Sequence, residues 1–325
     1  MNPRPLVVVL DDLEDAARRL ADWSAIERRA DLRIHTAQLR DADLLDAVKD
    51  ADALVLMRDR TPVDAALVAA MPRLKYLAFT GTRNAALDVA ALRARGVPVC
   101  HTAWGPSKES TCELAWALIL AAAKRLPQAV AAMGEGRWRD GGPLGQVLHG
   151  ERLGLVGLGE IGARMARVAR AFGMEVVAWS PRMTAERAAE HGAHAVSLDE
   201  LVATSKVVSL HLVMTEATRH LFDAGRLARM RPDAVFVNTS RAGLVDEAAL
   251  VDALRAGRPG AAALDVYSSE PLPVAHPLRG LPNALLSPHL GFVSQPVFER
   301  FYRDAAEGVQ AWLDGAPLPR LMPGG

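Results

Sequence analysis

Leu153-Gly-Leu-Val156-Gly157-Leu-Gly159-Glu160-Ile161-Gly162 is the stretch from which the fold is read. Residues 153–156 form an apolar run of strand length, and residues 161–172 repeat apolar side chains at helical spacing. The three glycines therefore fall in a strand-to-helix turn, the context in which G-x-G-x-x-G carries meaning. Gly157 permits the tight turn, Gly159 lets the backbone approach a pyrophosphate, and Gly162 lets helix and strand pack closely. The amides of the helix N-terminus, with Glu160 and Ile161 first among them, then face the phosphates. The plain alternative is a glycine-rich turn with no ligand.

Outward from this turn, apolar runs at 175–179, 207–211, 234–238, 262–266 and 284–287 alternate with helical patterns at 184–191, 198–204, 225–230 and 246–255. Six strands with helices between them predict a doubly wound dinucleotide-binding domain. Upstream, runs at 6–10, 32–35, 53–57, 75–79 and 97–100 predict a smaller five-stranded parallel-sheet domain of the Rossmann or flavodoxin kind. Its first helix is expected to bury Leu13, Ala17, Leu20 and Ala21, and Thr61-Pro62 is expected to open a helix over 62–70. A long helical pattern over 110–133 is interrupted by Pro127 and closed by the glycine-rich stretch 134–145. A last helix over 296–313 follows the sixth strand, so the chain is expected to return to the first domain. The resulting division is 1–102 with 290–325, a substrate and catalytic domain, and 103–289, a dinucleotide-binding domain.

Composition narrows the partners. The 325 residues carry 38 basic and 38 acidic side chains, and half are apolar, which excludes a disordered chain and gives no cationic excess for nucleic acid or membrane lipid. Only five of the cations are lysine (Lys49, Lys75, Lys108, Lys124, Lys206), a bias read as base composition of the genome. Cys100 and Cys112 have no metal or disulfide spacing, and His35, His149, His191, His194, His211, His220 and His276 show none for zinc, so no metal is expected. The run at 6–10 ends in Asp11-Asp12, unlike a signal peptide, and the longest apolar stretch, 114–123, is shorter than the ~20 residues of a spanning helix. A reducing cytoplasm is the expected location.

A nucleotide site that prefers NAD places a carboxylate at the end of its second strand, about 20 positions past the glycines. That strand end reads Ala178-Trp179-Ser180-Pro181-Arg182, without one, and Glu175 stands at the wrong end of the strand. Ser180 and Arg182 suit a 2′-phosphate, so NADP is favoured over NAD, against relaxed cofactor choice as the alternative. Three charged residues follow the late strands: Arg241, Glu270 and His289. They supply a guanidinium for a carboxylate, a carboxylate to orient an imidazole, and an imidazole to exchange a proton near neutral pH. Taken singly, they read as a strand-end cap, a solvated turn and a core histidine.

The ordered set Gly157-x-Gly159-x-x-Gly162, Val237-Asn-Thr-Ser-Arg241-Ala-Gly243-Leu-Val-Asp-Glu247, Ala263-Leu-Asp-Val-Tyr-Ser-Ser-Glu270-Pro-Leu and Ser287-Pro-His289-Leu-Gly291 resembles the D-isomer-specific 2-hydroxyacid dehydrogenases. The resemblance covers nearly the whole chain. It implies interleaved domains, a homodimer joined through the helix near 110–133, and hydride transfer between NAD(P)H and a small 2-oxo acid such as glyoxylate or hydroxypyruvate. It further implies that Arg241 binds substrate, His289 is the acid/base and Glu270 its paired carboxylate. Asp265 would hold the nicotinamide carboxamide, and Thr111 would lie near the nicotinamide-side phosphate, with Thr239 among the cofactor contacts.

Thr80-Gly81-Thr82-Arg83-Asn84 lies where the family offers backbone amides to the substrate carboxylate, with Arg83 in place of a usual glycine. Gly81, Thr82 and Arg83 are thereby substrate-binding candidates. Cys112 stands where alanine is usual and reads as a packing residue. His101, Trp104 and Trp138 are candidates for substrate or packing contacts, and Phe292 for a wall of the site. Two alternatives accompany this reading. A formate dehydrogenase of the same fold pairs its histidine with glutamine, against Glu270 here, and a dinucleotide-sensing corepressor would keep the same motifs.

Overall fold

The computed structural model describes residues 4–139, 142 and 144–323. Asp140, Gly141 and Pro143 of the glycine-rich stretch, and the extreme ends of the chain, lie outside the described residues. The chain separates into two compact units, one of Met1–Pro106 with Ser294–Gly325 and the other of Ser107–Val293. The joints thus fall at 106/107 and 293/294, four residues later than the sequence reading put them.

The first unit holds strands β1 (Leu6–Val9), β2 (Asp31–Ile34), β3 (Ala53–Leu56), β4 (Tyr76–Phe79) and β5 (Val99–His101). They form a parallel sheet in the order β2-β1-β3-β4-β5, the flavodoxin-like arrangement. Strands β1, β3 and β4 are buried along their whole length, as expected for a sheet covered on both faces, while edge strand β2 alternates. Val8, Leu54, Leu56, Leu77 and Phe79 build the core of one face. The opposite face is sealed by the C-terminal helix Gln295–Asp314, which buries Val297, Phe298, Phe301, Tyr302, Ala305 and Val309. The Tyr302 hydroxyl donates to Asp12 Oδ1 at 2.6 Å, and Trp312 stacks on Tyr76 with ring centres 5.9 Å apart.

Two local expectations fail here for identifiable reasons. Asp12 accepts the amides of Ala16 and Ala17 at 2.9 and 3.0 Å, which delays the first helix to Ala17–Leu20 and leaves Leu13 exposed. Thr61 does not cap a helix: its hydroxyl donates to Asp11 at 2.7 Å, and the helix starts at Ala65, capped by Asp64 through the Leu67 amide.

The second unit holds β6 (Arg152–Val156), β7 (Glu175–Trp179), β8 (His194–Ala195), β9 (Val207–Leu210), β10 (Val235–Asn238), β11 (Ala261–Leu264) and β12 (Ala284–Leu286). All run parallel in the order β12-β11-β10-β9-β6-β7-β8, so the sheet has seven strands rather than six. The added edge strand, β8, is two residues long and carries no readable period. The order reverses between β6 and β9, and a reversal of this kind opens a ligand crevice at the carboxyl ends of the strands. Leu153 and Leu155 face a core shared with Ile119 and Met165, while Val156, Val208 and Phe236 belong to the core of the other face.

The 110–133 pattern is two helices, Ser107–Lys124 and Leu126–Gly134, bent by 68°. The bend is at Arg125, in the left-handed region at φ 55°, and Pro127 belongs to the first turn of the second helix instead of breaking the first. Among the described residues no single helix is long and apolar enough to cross a membrane.

Candidate active site

The glycine turn after β6 has the geometry its spacing demands. Gly157 sits at φ 103°, and a Cβ there would lie 2.5 Å from the His211 carbonyl oxygen. A Cβ on Gly162 would lie 2.2 Å from the Gly157 carbonyl oxygen, so neither position admits a side chain. Gly159 differs: a Cβ would meet no atom within 4 Å, so this glycine faces open space. It also precedes the helix Glu160–Ala171 without a side chain to cap the first amides, leaving them directed toward that space.

Other features fit a dinucleotide at this crevice. The Thr239 hydroxyl, just past β10, is buried and has no partner among the described residues. The side chains of Glu160 and Ile161 are engaged elsewhere, Glu160 with Lys108 and Ile161 with the core, so their amides are what they can offer. Past β7, Ser180 is half-buried and Arg182 is exposed with no ion pair among the described residues. Glu175 is held by Arg152 through contacts of 2.9 and 3.1 Å at the start of the strand.

His211 forms the floor under Gly157. Its Nε2 lies 2.9 Å from the Ser209 hydroxyl, and desolvation lowers the ring to about 4. The ring is therefore neutral at physiological pH.

Beyond β11 and β12 lies the second half of the constellation. His289 Nδ1 is 2.7 Å from Glu270 Oε2, a charge-assisted distance. Glu270 Oε1 in turn accepts the Tyr267 amide at 3.0 Å. His289 occupies the left-handed region at φ 57°, an unusual conformation that its surroundings must enforce. Asp265, 1% exposed, does so. Its Oδ1 accepts from the Ser287 hydroxyl at 2.6 Å and the Leu290 amide at 2.7 Å, and its Oδ2 accepts the Gly291 amide at 2.9 Å. Burial pushes the Asp265 carboxyl up, opposed by these hydrogen bonds. Three of its roughly four acceptor positions are thus filled by the chain itself, so the side chain expected to hold a carboxamide is first a clamp on residues 287–291.

Thr111 joins the same cluster, its hydroxyl lying 2.8 Å from the Ser107 carbonyl and 3.0 Å from that of Gly291. Its one proton is committed to carbonyls, so toward a phosphate it has only lone pairs to present. Phe292 packs edge-on to the His289 ring at 5.7 Å. Arg241 is exposed, and its guanidinium turns back to the Ser240 carbonyl at 2.8 Å. Cys112 is buried against Met165 and its thiol is raised by burial, as a packing residue should be.

In the first unit, the Gly81 amide donates to the Thr102 hydroxyl at 2.8 Å. The Thr82 hydroxyl accepts from Trp104 Nε1 at 2.7 Å, and the Arg83 side chain is exposed. Arg58, which the sequence did not single out, lies under this loop. It donates to the carbonyls of Thr80 and Arg83 at 3.0 and 3.3 Å and stacks on Trp104 at 4.2 Å. Tyr267 also escaped notice: its hydroxyl lies 3.0 Å from the Leu264 carbonyl and 2.9 Å from that of Ser287, tying the ends of β11 and β12 together. Burial raises its phenol. The only sequence signal for either residue was position, directly after a strand.

A Rossmann unit carrying a glycine cradle and a carboxylate-held imidazole defines a dinucleotide-binding class. Residues 116–291 match the family described as "D-isomer specific 2-hydroxyacid dehydrogenase, NAD binding domain". The chain belongs to the D-isomer-specific 2-hydroxyacid dehydrogenase family. It is similar to a D-3-phosphoglycerate dehydrogenase of Mycobacterium tuberculosis, 39% identical over 97% of this chain but only 58% of that protein. It thus spans little more than half the length of that relative. It is also similar to a glyoxylate reductase of Aeropyrum pernix, 39% identical over 86% of this chain and 85% of the relative. Among solved structures, a phosphoglycerate oxidoreductase of Vibrio cholerae O395 superposes with a TM-score of 0.88 at 37% identity, covering 96% of this chain and all of that one.

The buried His211 gives the protein an acid sensitivity with a definite sign. The unfolded ring protonates near its ordinary value of 6.5, the folded ring near 4, so between these values the unfolded state binds more protons. Above pH 6.5 the residue contributes no pH dependence; from there down to pH 4 it costs about 3 kcal/mol of stability. Urea unfolding at pH 7.5 and 4.5 should show a smaller loss on acidification in His211→Asn, and an equal loss in both proteins would contradict it.

Proposed function

We propose that the protein reduces small 2-oxo acids to D-2-hydroxy acids with a nicotinamide dinucleotide, glyoxylate and hydroxypyruvate being the model substrates. The observation that carries this is the 2.7 Å bond between His289 Nδ1 and Glu270, in the same unit as the glycine cradle. Gly157, Gly159, Gly162, the Glu160 and Ile161 amides and Thr239 are assigned to the dinucleotide, and Thr111, its proton committed to carbonyls, to holding Gly291. When bound, the dinucleotide supplies the hydride. Glu270 holds the proton on Nδ1 of His289 and stabilises the imidazolium, leaving Nε2–H to protonate the carbonyl oxygen of the substrate. Arg241 swings from its own backbone to bind the substrate carboxylate, for which a planar guanidinium is the matched donor. Thr82 and Arg83 keep their assignment to the substrate.

NADPH is assigned as the preferred reductant. Support comes from the absence of a carboxylate at the end of β7, from the commitment of Glu175 to Arg152, and from Arg182 beside Ser180, exposed and with no ion pair among the described residues. We also assign a homodimer. Leu126, Val130 and Met133 lie on one stripe of a helix and are 53%, 61% and 54% exposed, with Leu144 and Val147 also exposed nearby in sequence. Both thiols are free and buried, which accords with a reducing cytoplasm.

His289→Ala is expected to lower kcat by about 10²–10⁴-fold with dinucleotide affinity unchanged. Near-normal turnover would remove His289 from the mechanism. In a panel of 2-oxo acids, kcat/KM should be higher with NADPH than with NADH, and Arg182→Gln should erase most of that difference; a preference for NADH in the unaltered protein contradicts the assignment. Sedimentation equilibrium should give twice the chain mass, with Val130→Glu shifting it toward the monomer, and a monomeric unaltered protein would refute the dimer.

A further inference from the structure

The motif Gly243-Leu-Val-Asp-Glu247 has so far been given no task. Its aspartate has a local one: Asp246 caps the helix Glu247–Arg255 by accepting the Ala249 amide at 3.0 Å. Glu247 is therefore not needed as a cap, and its carboxylate leaves the helix. It accepts the Ser268 amide at 3.1 Å and the Ser268 hydroxyl, and it lies 3.2 Å from His276 Nε2. His276 Nδ1 accepts the Leu278 amide at 3.3 Å, so the ring proton is on Nε2 and points at Glu247. Glu247 and His276 are only 19% and 18% exposed, which shields the pair from competing water.

Ser268 stands between the two residues that set the acid/base pair. The amide of Tyr267, immediately before it, holds Oε1 of Glu270, two residues after it, and the other oxygen of Glu270 holds His289. The backbone at 266–268 is thus the mount from which Glu270 is hung; the Tyr267 hydroxyl ties it to the strand ends, and Glu247 fixes it from the Ser268 side. Arg279 secures the far side of the same loop by donating to the carbonyls of Pro273 and Leu272 at 3.0 and 2.7 Å. These bonds end on residues 272 and 273, beyond Glu270, and so provide an internal control.

We propose that Glu247, oriented by His276, is a positioning residue for the acid/base pair, acting through Ser268 on Glu270. The inference rests on the reading of Glu270 and His289 as that pair. A carboxylate displaced by even an ångström no longer holds the imidazole in its working orientation, a change that can cost about 100-fold in rate. Glu247→Ala is expected to lower kcat by about 10–100-fold while dinucleotide affinity and the KM for the 2-oxo acid change little. Its profile of kcat/KM against pH should move in the same direction as that of Glu270→Gln. Glu247→Gln preserves the shape and can satisfy Ser268 or His276 but not both, so it should fall between the unaltered protein and Glu247→Ala and serves if the latter does not fold. Arg279→Gln should leave kcat and the pH profile near normal. An unaltered pH profile in Glu247→Ala, or an equal effect from Arg279→Gln, would overturn the inference. If Glu270→Gln itself retained full turnover, the reading of the pair would fail instead.

Discussion

Asp265 is a carboxylate almost wholly withdrawn from water, and what compensates its burial is the chain it holds. It receives one hydroxyl and two amides from residues 287–291. Burying an ionised group without such partners costs several kcal/mol, so this carboxylate and that segment stabilise one another or neither is stable. The result is a histidine fixed at φ 57°, a conformation that a non-glycine residue adopts only when its neighbours insist. The contact between His289 and Glu270 follows from that placement. Glu270 can meet Nδ1 at 2.7 Å because the Tyr267 amide and hydroxyl lock its own loop to the same two strand ends.

The nucleotide side is built on a different constraint, steric rather than electrostatic. Gly157 and Gly162 are required by contacts with backbone, while Gly159 is required by nothing the chain itself supplies. A glycine kept free of contact in front of uncapped helix amides is space reserved for something else. His211, whose backbone closes on Gly157, carries a ring partnered by Ser209 and uncharged in the physiological range.

What could be read from the sequence divides along the same line. The glycine turn, the parallel sheets and the positions of Arg241, Glu270 and His289 were legible because strand period, turn chemistry and strand-end placement are local properties. The returning helix Gln295–Asp314 was legible because its apolar stripe follows the sixth strand. Local patterns misled where a side chain was claimed from afar: Thr61 bonds Asp11, fifty residues earlier in the chain, instead of capping a helix. The two-residue β8 was too short for any period, and the bend at Arg125 depends on a backbone angle that Pro127, two residues on, disguised. The supports of the acid/base pair were the least visible. Glu247 and Ser268, or Asp265 and Gly291, meet only when two strand-end loops are brought side by side, and no spacing in the sequence announces it.

The buried Asp265 carboxylate holds the segment that places His289. The most direct measurement is kcat and dinucleotide Kd for Asp265→Asn, in which an amide NH₂ replaces one acceptor and opposes a backbone N–H. The account predicts that kcat falls by about 100-fold while Kd changes by less than about threefold. A large rise in Kd with kcat preserved at saturating dinucleotide would contradict it.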